Sequence, residues 1–142
     1  MILLDTDHFS VLVDGRHSLH KRLVKRLDDA NDDVGLPVVS IEEQLRAWLA
    51  QIHRTRSSLA KQVVPYTRLV RLIHTLSTWE IASWTEDAAD AFAQFRRQRI
   101  RIGTQDLKIA AIALTHNSLL LSANLRDFEQ VPGLQVEDWL YK

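Results

Sequence analysis

Acidic and amide side chains recur in this sequence where an apolar run gives way to polar residues. Asp5 directly follows the aliphatic run Ile2–Leu4, and the other members stand after later apolar runs or open the helices that follow them. The set consists of Asp5, Glu42, Glu43, Asp106, Asn124 and Asp127. In an open parallel sheet such places lie at the carboxyl ends of the strands, where ligands bind. The sequence therefore predicts that these side chains meet in one cleft.

A cluster of carboxylates in one cleft needs something to balance its charge. Two carboxylates about 4 Å apart repel each other by on the order of 4 kcal/mol at an effective dielectric constant near 20. Either the acids protonate or a cation neutralises them. Oxygen ligands without cysteine suit Mg²⁺ or Mn²⁺ better than zinc. Because Mg²⁺ with few carboxylate ligands keeps waters and binds phosphate oxygens, the predicted chemistry is metal-assisted phosphodiester hydrolysis.

Each of these acids also has a structural interpretation. Asp5 and Asp7 could cap the helix that follows them, and Asp106 suits the positive end of a helix dipole. Ser40 and Glu43 match a capping box, in which the Glu43 carboxylate accepts a hydrogen bond from the Ser40 amide. For Glu43 the sequence supports the capping role and the metal-binding role equally.

The elements that would position these groups follow from hydrophobic periodicity. Short apolar runs predict strands at Ile2–Leu4, Leu36–Val39, Trp79–Trp84, Leu119–Leu121 and Leu134–Val136. Amphipathic helical patterns fill the intervals, one of them opening at Ser40 and another at Gly103. Strands that alternate with helices predict an α/β fold with a parallel sheet. The length of 142 residues predicts a single domain, residues 1–142.

Two prolines affect these elements. Pro37 is awkward inside a central strand because it lacks a backbone N–H, which favours a place near the sheet edge. Pro65 is expected to kink or split an amphipathic helix that runs from Leu59 to Ile73. This helix and the one opened by Ser40 are predicted to form a hairpin. Its apolar surface either packs in the core or serves a partner or dimer interface.

Composition excludes several classes of function. Eighteen basic and eighteen acidic residues cancel, so net charge gives no sign of broad non-specific binding to nucleic acid. The absence of cysteine excludes disulfides, thiolate catalysis and cysteine-based zinc sites. No apolar run reaches membrane-spanning length and no signal peptide is recognised, so we expect a cytoplasmic protein. One local basic cluster suits a helix C-terminus and equally an RNA-facing patch: Arg96, Arg97, Arg99 and Arg101.

The motifs, taken in order, resemble those of a known family. The opening Ile2–Asp7 is similar to the first motif of PIN-domain nucleases, and Ser40–Glu43 is similar to their Thr/Ser-x-x-Glu motif. The segments Ile102–Asp106 and Ser122–Phe128 resemble the third and fourth motifs. The ending Val131–Trp139 is typical of the VapC-type toxins within that family. The resemblance covers nearly the whole chain.

This resemblance implies a fold and a function. The implied fold is a three-layer α/β/α sandwich with a central, mostly parallel sheet of four to five strands. The implied activity is that of a Mg²⁺-dependent endoribonuclease, the toxin of a type II toxin–antitoxin pair, which cleaves structured RNA such as tRNA or rRNA. The implied partners are a small antitoxin protein and a second copy of the chain in a homodimer.

Carried over residue by residue, the resemblance also implies site residues. Asp5, Glu43 and Asp106 would be the catalytic acids, and together with Asn124 they would hold the metal. Many relatives have aspartate at the place of Asn124. Because the neutral amide of Asn124 would weaken a second metal site, one tightly held metal is expected rather than two. Positions of support are Asp127, which could compensate for Asn124, Glu42, a substitute for Glu43, and Asp7, Thr104 and His8.

Two other interpretations stay open. The run Asp5–Asp7 after an apolar strand also resembles the haloacid-dehalogenase phosphatases, in which one aspartate is the nucleophile and Ser40 could bind phosphate. However, His8 and Phe9 replace the usual Gly-Thr, and no Gly-Asp-x-x-x-Asp motif follows. The second alternative is a catalytically inactive PIN-like binding module that docks through its hairpin helices.

Overall fold

Five parallel strands form the centre of the structure, a computed structural model that describes residues 1–142. The strands are β1 (Ile2–Leu4), β2 (Val34–Pro37), β3 (Glu80–Ala82), β4 (Leu119–Leu121) and β5 (Val136–Glu137). Their order across the sheet is β3-β2-β1-β4-β5, and every pairing is parallel. β1 is therefore the central strand, as expected from its wholly apolar sequence.

Helices make every connection between the strands, as parallel pairing requires. They are α1 (Thr6–Val13), α2 (His20–Ala30), α3 (Val38–Arg54), α4 (Val63–Leu76), α5 (Glu86–Arg97), α6 (Thr104–Thr115) and α7 (Leu125–Phe128). None of them combines the length and the apolar character that a membrane crossing needs.

Alternation of side chains along β1 gives each face of the sheet its own hydrophobic core. Leu3 belongs to a cluster built mainly from α5 and α6. Ile2 and Leu4 belong to a second cluster, to which α1, α2 and α4 contribute. All three side chains are at most 3% exposed. The structure thus confirms the three-layer α/β/α sandwich with a central parallel sheet.

Pro37 changes where α3 begins. It is the last residue of β2, pairs with Ala82 of β3, and serves as the N-cap of α3 with φ of −64°. That φ and the missing N–H suit the start of a helix. β2 lies one strand in from the edge, and α3 starts at Val38 rather than at the predicted Ser40.

The start of α4 also differs from the prediction, because the segment before Val63 forms turns. Pro65 is the third residue of α4, where its N–H would have no partner within the helix, so it does not split the helix. The apolar side chains expected on one face are at least half exposed: Leu59, Val63, Tyr66, Val70 and Ile73. Of the two alternatives for this apolar face, packing in the core is therefore wrong.

Candidate active site

A cleft of about 190 Å³ opens at the carboxyl end of the parallel sheet. Asp5, Glu43 and Asp106 line it together with Asn124, although these residues belong to distant parts of the sequence. The other lining residues are Thr6, Asp7, Ile109, Ser122 and Phe128. The structure thus brings the three acids predicted to be catalytic to one opening, as expected for residues at the carboxyl ends of parallel strands and in the helices that follow them.

Asp5 enters the cleft from the end of the central strand. Its backbone N–H donates to the carbonyl of Leu121 on β4 at 3.0 Å, and its side chain is 14% exposed. The carboxylate oxygen Oδ1 accepts from the backbone N–H of His8 at 2.9 Å and so caps α1. The ring nitrogen Nδ1 of His8 lies 3.0 Å from the same oxygen. Capping occupies Oδ1 only, so Asp5 can cap α1 and still present Oδ2 to a ligand.

Glu43 is not engaged in the predicted capping box. Because α3 begins at Val38, Ser40 lies inside the helix, and the start of α3 has no side-chain cap. Ser40 is fully buried and its Oγ has no hydrogen-bond partner. The capping interpretation of Glu43 is therefore wrong, and the physical reason is the earlier helix start at Pro37.

The electrostatic environment of Glu43 disfavours its charged form. Partial burial raises the pKa of its carboxyl group, and the negative charges of Asp106, Glu42 and Asp5 raise it further. Arg46 opposes this shift only in part. A carboxylate whose pKa is raised in this way gains from a nearby cation.

Glu42, the predicted substitute for Glu43, lies outside the cleft. Its Oε1 accepts from Gln105 Nε2 at 3.0 Å, and its Oε2 pairs with Arg46. The hydrogen bond from Gln105 and the positive charge of Arg46 lower the pKa of Glu42. Glu42 is therefore already neutralised on an exposed surface and is not placed to replace Glu43.

Asp106 reaches the cleft from the first turn of α6, where an acid also suits the helix dipole. Partial burial raises the pKa of Asp106, and the charges of Asp127 and Asp5 raise it further. A hydrogen bond from Asn124 lowers it in part. Asp106 and Glu43 are thus two carboxyl groups of one cleft that both resist ionisation.

Asn124 presents its amide N–H groups, not its oxygen, to the acids. Nδ2 donates to Asp127 Oδ2 at 3.0 Å and to Asp106 Oδ2 at 3.4 Å. In this arrangement Asn124 relieves repulsion between two carboxylates. To serve as the metal ligand predicted from the sequence, the side chain would have to turn and present Oδ1.

The remaining predicted positions stand at the margin of the site. Asp127 lies on α7 and contacts the cleft through Asn124. Asp7 is exposed in the first turn of α1 and lines the rim. Thr104, the first residue of α6, is exposed and does not line the cleft.

The donor chemistry of the cleft fits a hard divalent cation. As the side chains stand, no three His, Asp or Glu groups are close enough together to hold a metal ion. Partial burial and mutual repulsion raise the pKa values of Glu43 and Asp106, so a cation in the opening would stabilise their charged forms. Mg²⁺ binds through one or two carboxylates and keeps several waters, so a shared opening lined by oxygen ligands suits it.

Known proteins similar to this chain are ribonucleases by name. Ribonuclease VapC1 of Rickettsia felis is 52% identical over 40 residues, which are 28% of this chain and 30% of that protein. The tRNA(fMet)-specific endonuclease VapC of Salmonella typhimurium is 31% identical over 83 residues, which are 56% of this chain and 63% of that protein. The matched segments thus span less than two thirds of either relative.

Comparison with solved structures extends over the whole chain. The crystal structure of VapBC2 from Rickettsia felis bound to a DNA fragment from their promoter contains a chain similar to this one, with a TM-score of 0.71. The match covers 98% of this chain and 99% of that chain at 21% sequence identity. At this identity the likeness shows the fold.

The family assignment comes from the sequence match to a family model. The model described as PIN domain matches residues 2–134, which include β1, the three acids predicted to be catalytic and Asn124. The chain therefore belongs to the PIN-domain family.

Proposed function

We propose that this protein is a divalent-metal-dependent endoribonuclease, in which residues 1–142 act as one nuclease domain. The observation that carries the proposal is the meeting of Asp5, Glu43 and Asp106 in one cleft, where the pKa values of Glu43 and Asp106 are raised. Such repulsion works against folding, and a bound cation balances it. Membership of the PIN-domain family and the names of the relatives support the same activity.

In this proposal Asp5, Glu43 and Asp106 would hold Mg²⁺, or Mn²⁺ in its place, and Asn124 would be a further ligand through Oδ1. The bound ion would activate a water and stabilise negative charge on the phosphate. The protein supplies a fixed Asp5 at the end of a buried strand and a negative cleft that attracts the cation. Without the cation the same charges repel an RNA phosphate, so substrate binding requires it as well.

Exposed arginines support an RNA substrate. Arg99 and Arg101 lie in the segment between α5 and α6, and neither guanidinium forms a hydrogen bond or an ion pair in the structure. This segment leads directly into the first turn of α6, which carries Asp106. Unpaired cations in the segment that leads into the helix of Asp106 suit the phosphates of structured RNA, and we infer tRNA or rRNA as the substrate class.

We further infer that the protein is the toxin of a toxin–antitoxin pair, bound by a small antitoxin and assembled as a homodimer. The exposed apolar face of α4 supports at least one protein partner, because a contiguous apolar surface favours contact with another chain. The sequence resemblance to VapC-type toxins supports the inference that this partner is an antitoxin. A cytoplasmic location follows from the proposed RNA substrate.

The phosphatase alternative lacks support from the site. Its proposed phosphate ligand, Ser40, is fully buried inside α3 and does not line the cleft. Hydrolysis of p-nitrophenyl phosphate measures that activity, and we expect none.

The test of the proposed function is cleavage of a structured RNA by the purified chain with Mg²⁺ and with EDTA. We expect new RNA ends with Mg²⁺, none with EDTA, and none from Asp106→Asn with Mg²⁺. Cleavage that persists in EDTA would contradict the metal dependence. Intact RNA with Mg²⁺, for a panel of tRNA and rRNA fragments, would favour the inactive binding module.

A further inference from the structure

His8 is a fully buried histidine that connects the candidate active site with the C-terminal segment. Its ring nitrogen Nδ1 lies 3.0 Å from Asp5 Oδ1, and its other ring nitrogen, Nε2, accepts from the backbone N–H of Trp139 at 3.2 Å. His8 and Trp139 are 131 positions apart in the sequence. Because the His8 ring contacts both groups, it couples the position of the Asp5 carboxylate to that of the Trp139 backbone.

The hydrogen bond with Trp139 determines which nitrogen of the ring carries hydrogen. A backbone N–H only donates, so Nε2 must be the acceptor and must be unprotonated. The ring hydrogen is then on Nδ1, where it points at Asp5 Oδ1 and donates to it. The histidine is thus held as one tautomer by a partner on each side.

Asp138 orients the donor rather than the ring. Its Oδ1 accepts from the backbone N–H groups of Leu140 at 2.9 Å and Tyr141 at 3.1 Å. The same oxygen is 3.8 Å from His8 Nε2, which is too long for a hydrogen bond. Asp138 therefore stabilises the turn that directs the Trp139 N–H toward the ring.

The C-terminal segment is firmly packed beside His8. Trp139 is 7% exposed and Leu140 is 2% exposed. The indole Nε1 of Trp139 donates to Glu137 Oε2 at 2.6 Å, and the guanidinium of Arg26 stacks over the ring at 4.8 Å. The donor that fixes the tautomer is thus itself held by several interactions.

The consequence for Asp5 is an asymmetric carboxylate. Oδ1 accepts two hydrogen bonds from His8, one from the backbone at 2.9 Å and one from the ring at 3.0 Å, while Oδ2 accepts none. Two donors on one oxygen restrict rotation of the carboxylate and leave the other oxygen for a ligand. Hydrogen bonds of this kind orient metal ligands and strengthen metal binding.

We propose that His8 is a positioning residue, which fixes Asp5 through Oδ1 and leaves Oδ2 free to bind the cation, and that the Trp139 N–H enforces this by fixing the ring tautomer. The inference rests on the proposed metal-dependent function. It assigns the C-terminal residues Asp138 and Trp139 a part in ordering the site, although neither lines the cleft.

Two substitutions separate the two hydrogen bonds of the His8 ring. In His8→Asn, the amide nitrogen can replace Nδ1 and donate to Asp5, but no atom reaches Trp139. In His8→Gln, the longer amide can accept from Trp139, but the donor to Asp5 is removed. His20→Asn is a matched control, since the ring of His20 hydrogen-bonds only the carbonyl of Val11 and lies outside the cleft.

The experiment measures Mn²⁺ affinity, by calorimetry with the metal alone, beside the melting temperature of each variant without metal. We expect both His8 variants to melt at lower temperature, because each loses a buried hydrogen bond. His8→Gln should bind Mn²⁺ about 10-fold more weakly than wild type, and His8→Asn should stay close to wild type. A purely structural role would instead make the loss of affinity follow the loss of stability in both variants.

Nitrogen NMR of the wild-type chain tests the tautomer independently of metal and activity. We expect His8 to show a hydrogen on Nδ1 and none on Nε2, and a hydrogen on Nε2 would overturn the proposal. Equal Mn²⁺ affinity of wild type and His8→Gln would overturn the positioning role alone. Absence of Mn²⁺ binding by wild type would overturn the proposed function together with it.

Discussion

Glu42 and Glu43 are consecutive residues of α3, yet the pKa of Glu42 is lowered and that of Glu43 is raised. Successive helical residues point about 100° apart, which separates the two carboxylates onto different surfaces. Glu42 meets Gln105 and Arg46, whereas Glu43 is partly buried beside Asp106 and Asp5. Of these two neighbours, Glu43 is therefore the one whose charge folding leaves unbalanced.

This difference predicts opposite effects of two adjacent substitutions. In EDTA, Glu43→Gln should raise the free energy of unfolding by about 0.5 to 1 kcal/mol, the range to which solvent screening limits a partly exposed charge. Glu42→Gln should leave it unchanged or lower it, because the ion pair with Arg46 is removed. Urea denaturation of both variants makes the measurement. Destabilisation by Glu43→Gln would show that its carboxylate is balanced without metal.

The raised pKa values predict a pH dependence of known sign. A carboxyl group whose pKa is higher in the folded state adds stability below its unfolded pKa, about 4, and loses that contribution as pH rises through the folded value. The stability difference between Glu43→Gln and wild type in EDTA should therefore be small near pH 4 and grow toward neutral pH. Urea denaturation across this range tests it, and a difference that shrinks with rising pH would contradict the assignment.

Asn124→Asp should lower the stability of the metal-free protein and raise its affinity for metal. The substitution removes the hydrogen bonds that Asn124 Nδ2 donates to Asp127 and Asp106, and it adds a third negative charge beside them. The free energy of unfolding in EDTA should therefore fall by about 1 kcal/mol. Mn²⁺ should then raise the melting temperature more than it does in wild type. Asp127→Asn, which removes one of the charges instead, serves as the control. An unchanged response of Asn124→Asp to Mn²⁺ would place Asn124 outside the metal site.

The RNA-facing role of the segment before α6 predicts a salt effect. Arg99→Gln with Arg101→Gln should weaken RNA binding and reduce the slope of log affinity against log salt by roughly 0.7 to 0.9 for each phosphate that is no longer neutralised. Arg22→Gln on α2, away from the cleft, should leave the slope unchanged. Binding is measured with Ca²⁺ in place of Mg²⁺ to limit cleavage. Equal slopes for the double variant and wild type would contradict the role.

The buried strands were the most predictable part of the fold. β1 and β4 have the bounds expected from Ile2–Leu4 and Leu119–Leu121, because a strand buried on both faces is apolar throughout. The interior strand β2 is shifted to Val34–Pro37 from the predicted Leu36–Val39, because Val38 already belongs to α3. The edge strands differ as well. β3 is only Glu80–Ala82, and β5 is Val136–Glu137 rather than Leu134–Val136. Edge strands are short and partly exposed, so their sequences lack a continuous apolar signal.

The site was predictable to the extent that it depends on strand ends. Topology predicted that these positions would meet, and the resemblance to PIN-domain nucleases selected Asp5, Glu43 and Asp106 among them. The failed capping box shows the limit, since the effect of Pro37 on the start of α3 overrides the local pattern at Ser40. The amide orientation of Asn124 and the hydrogen bond between His8 and Trp139 depend on tertiary packing, which no local pattern encodes.

The most direct test of the metal site is calorimetric titration of the metal-free chain with Mn²⁺, for wild type and for Asp5→Asn, Asp106→Asn and Glu42→Gln. Wild type and Glu42→Gln should bind one ion with similar affinity. The other two variants should bind at least about 10-fold more weakly, because each lacks a carboxylate of the cleft. Wild-type affinity in both Asp5→Asn and Asp106→Asn would contradict a metal site formed by these acids.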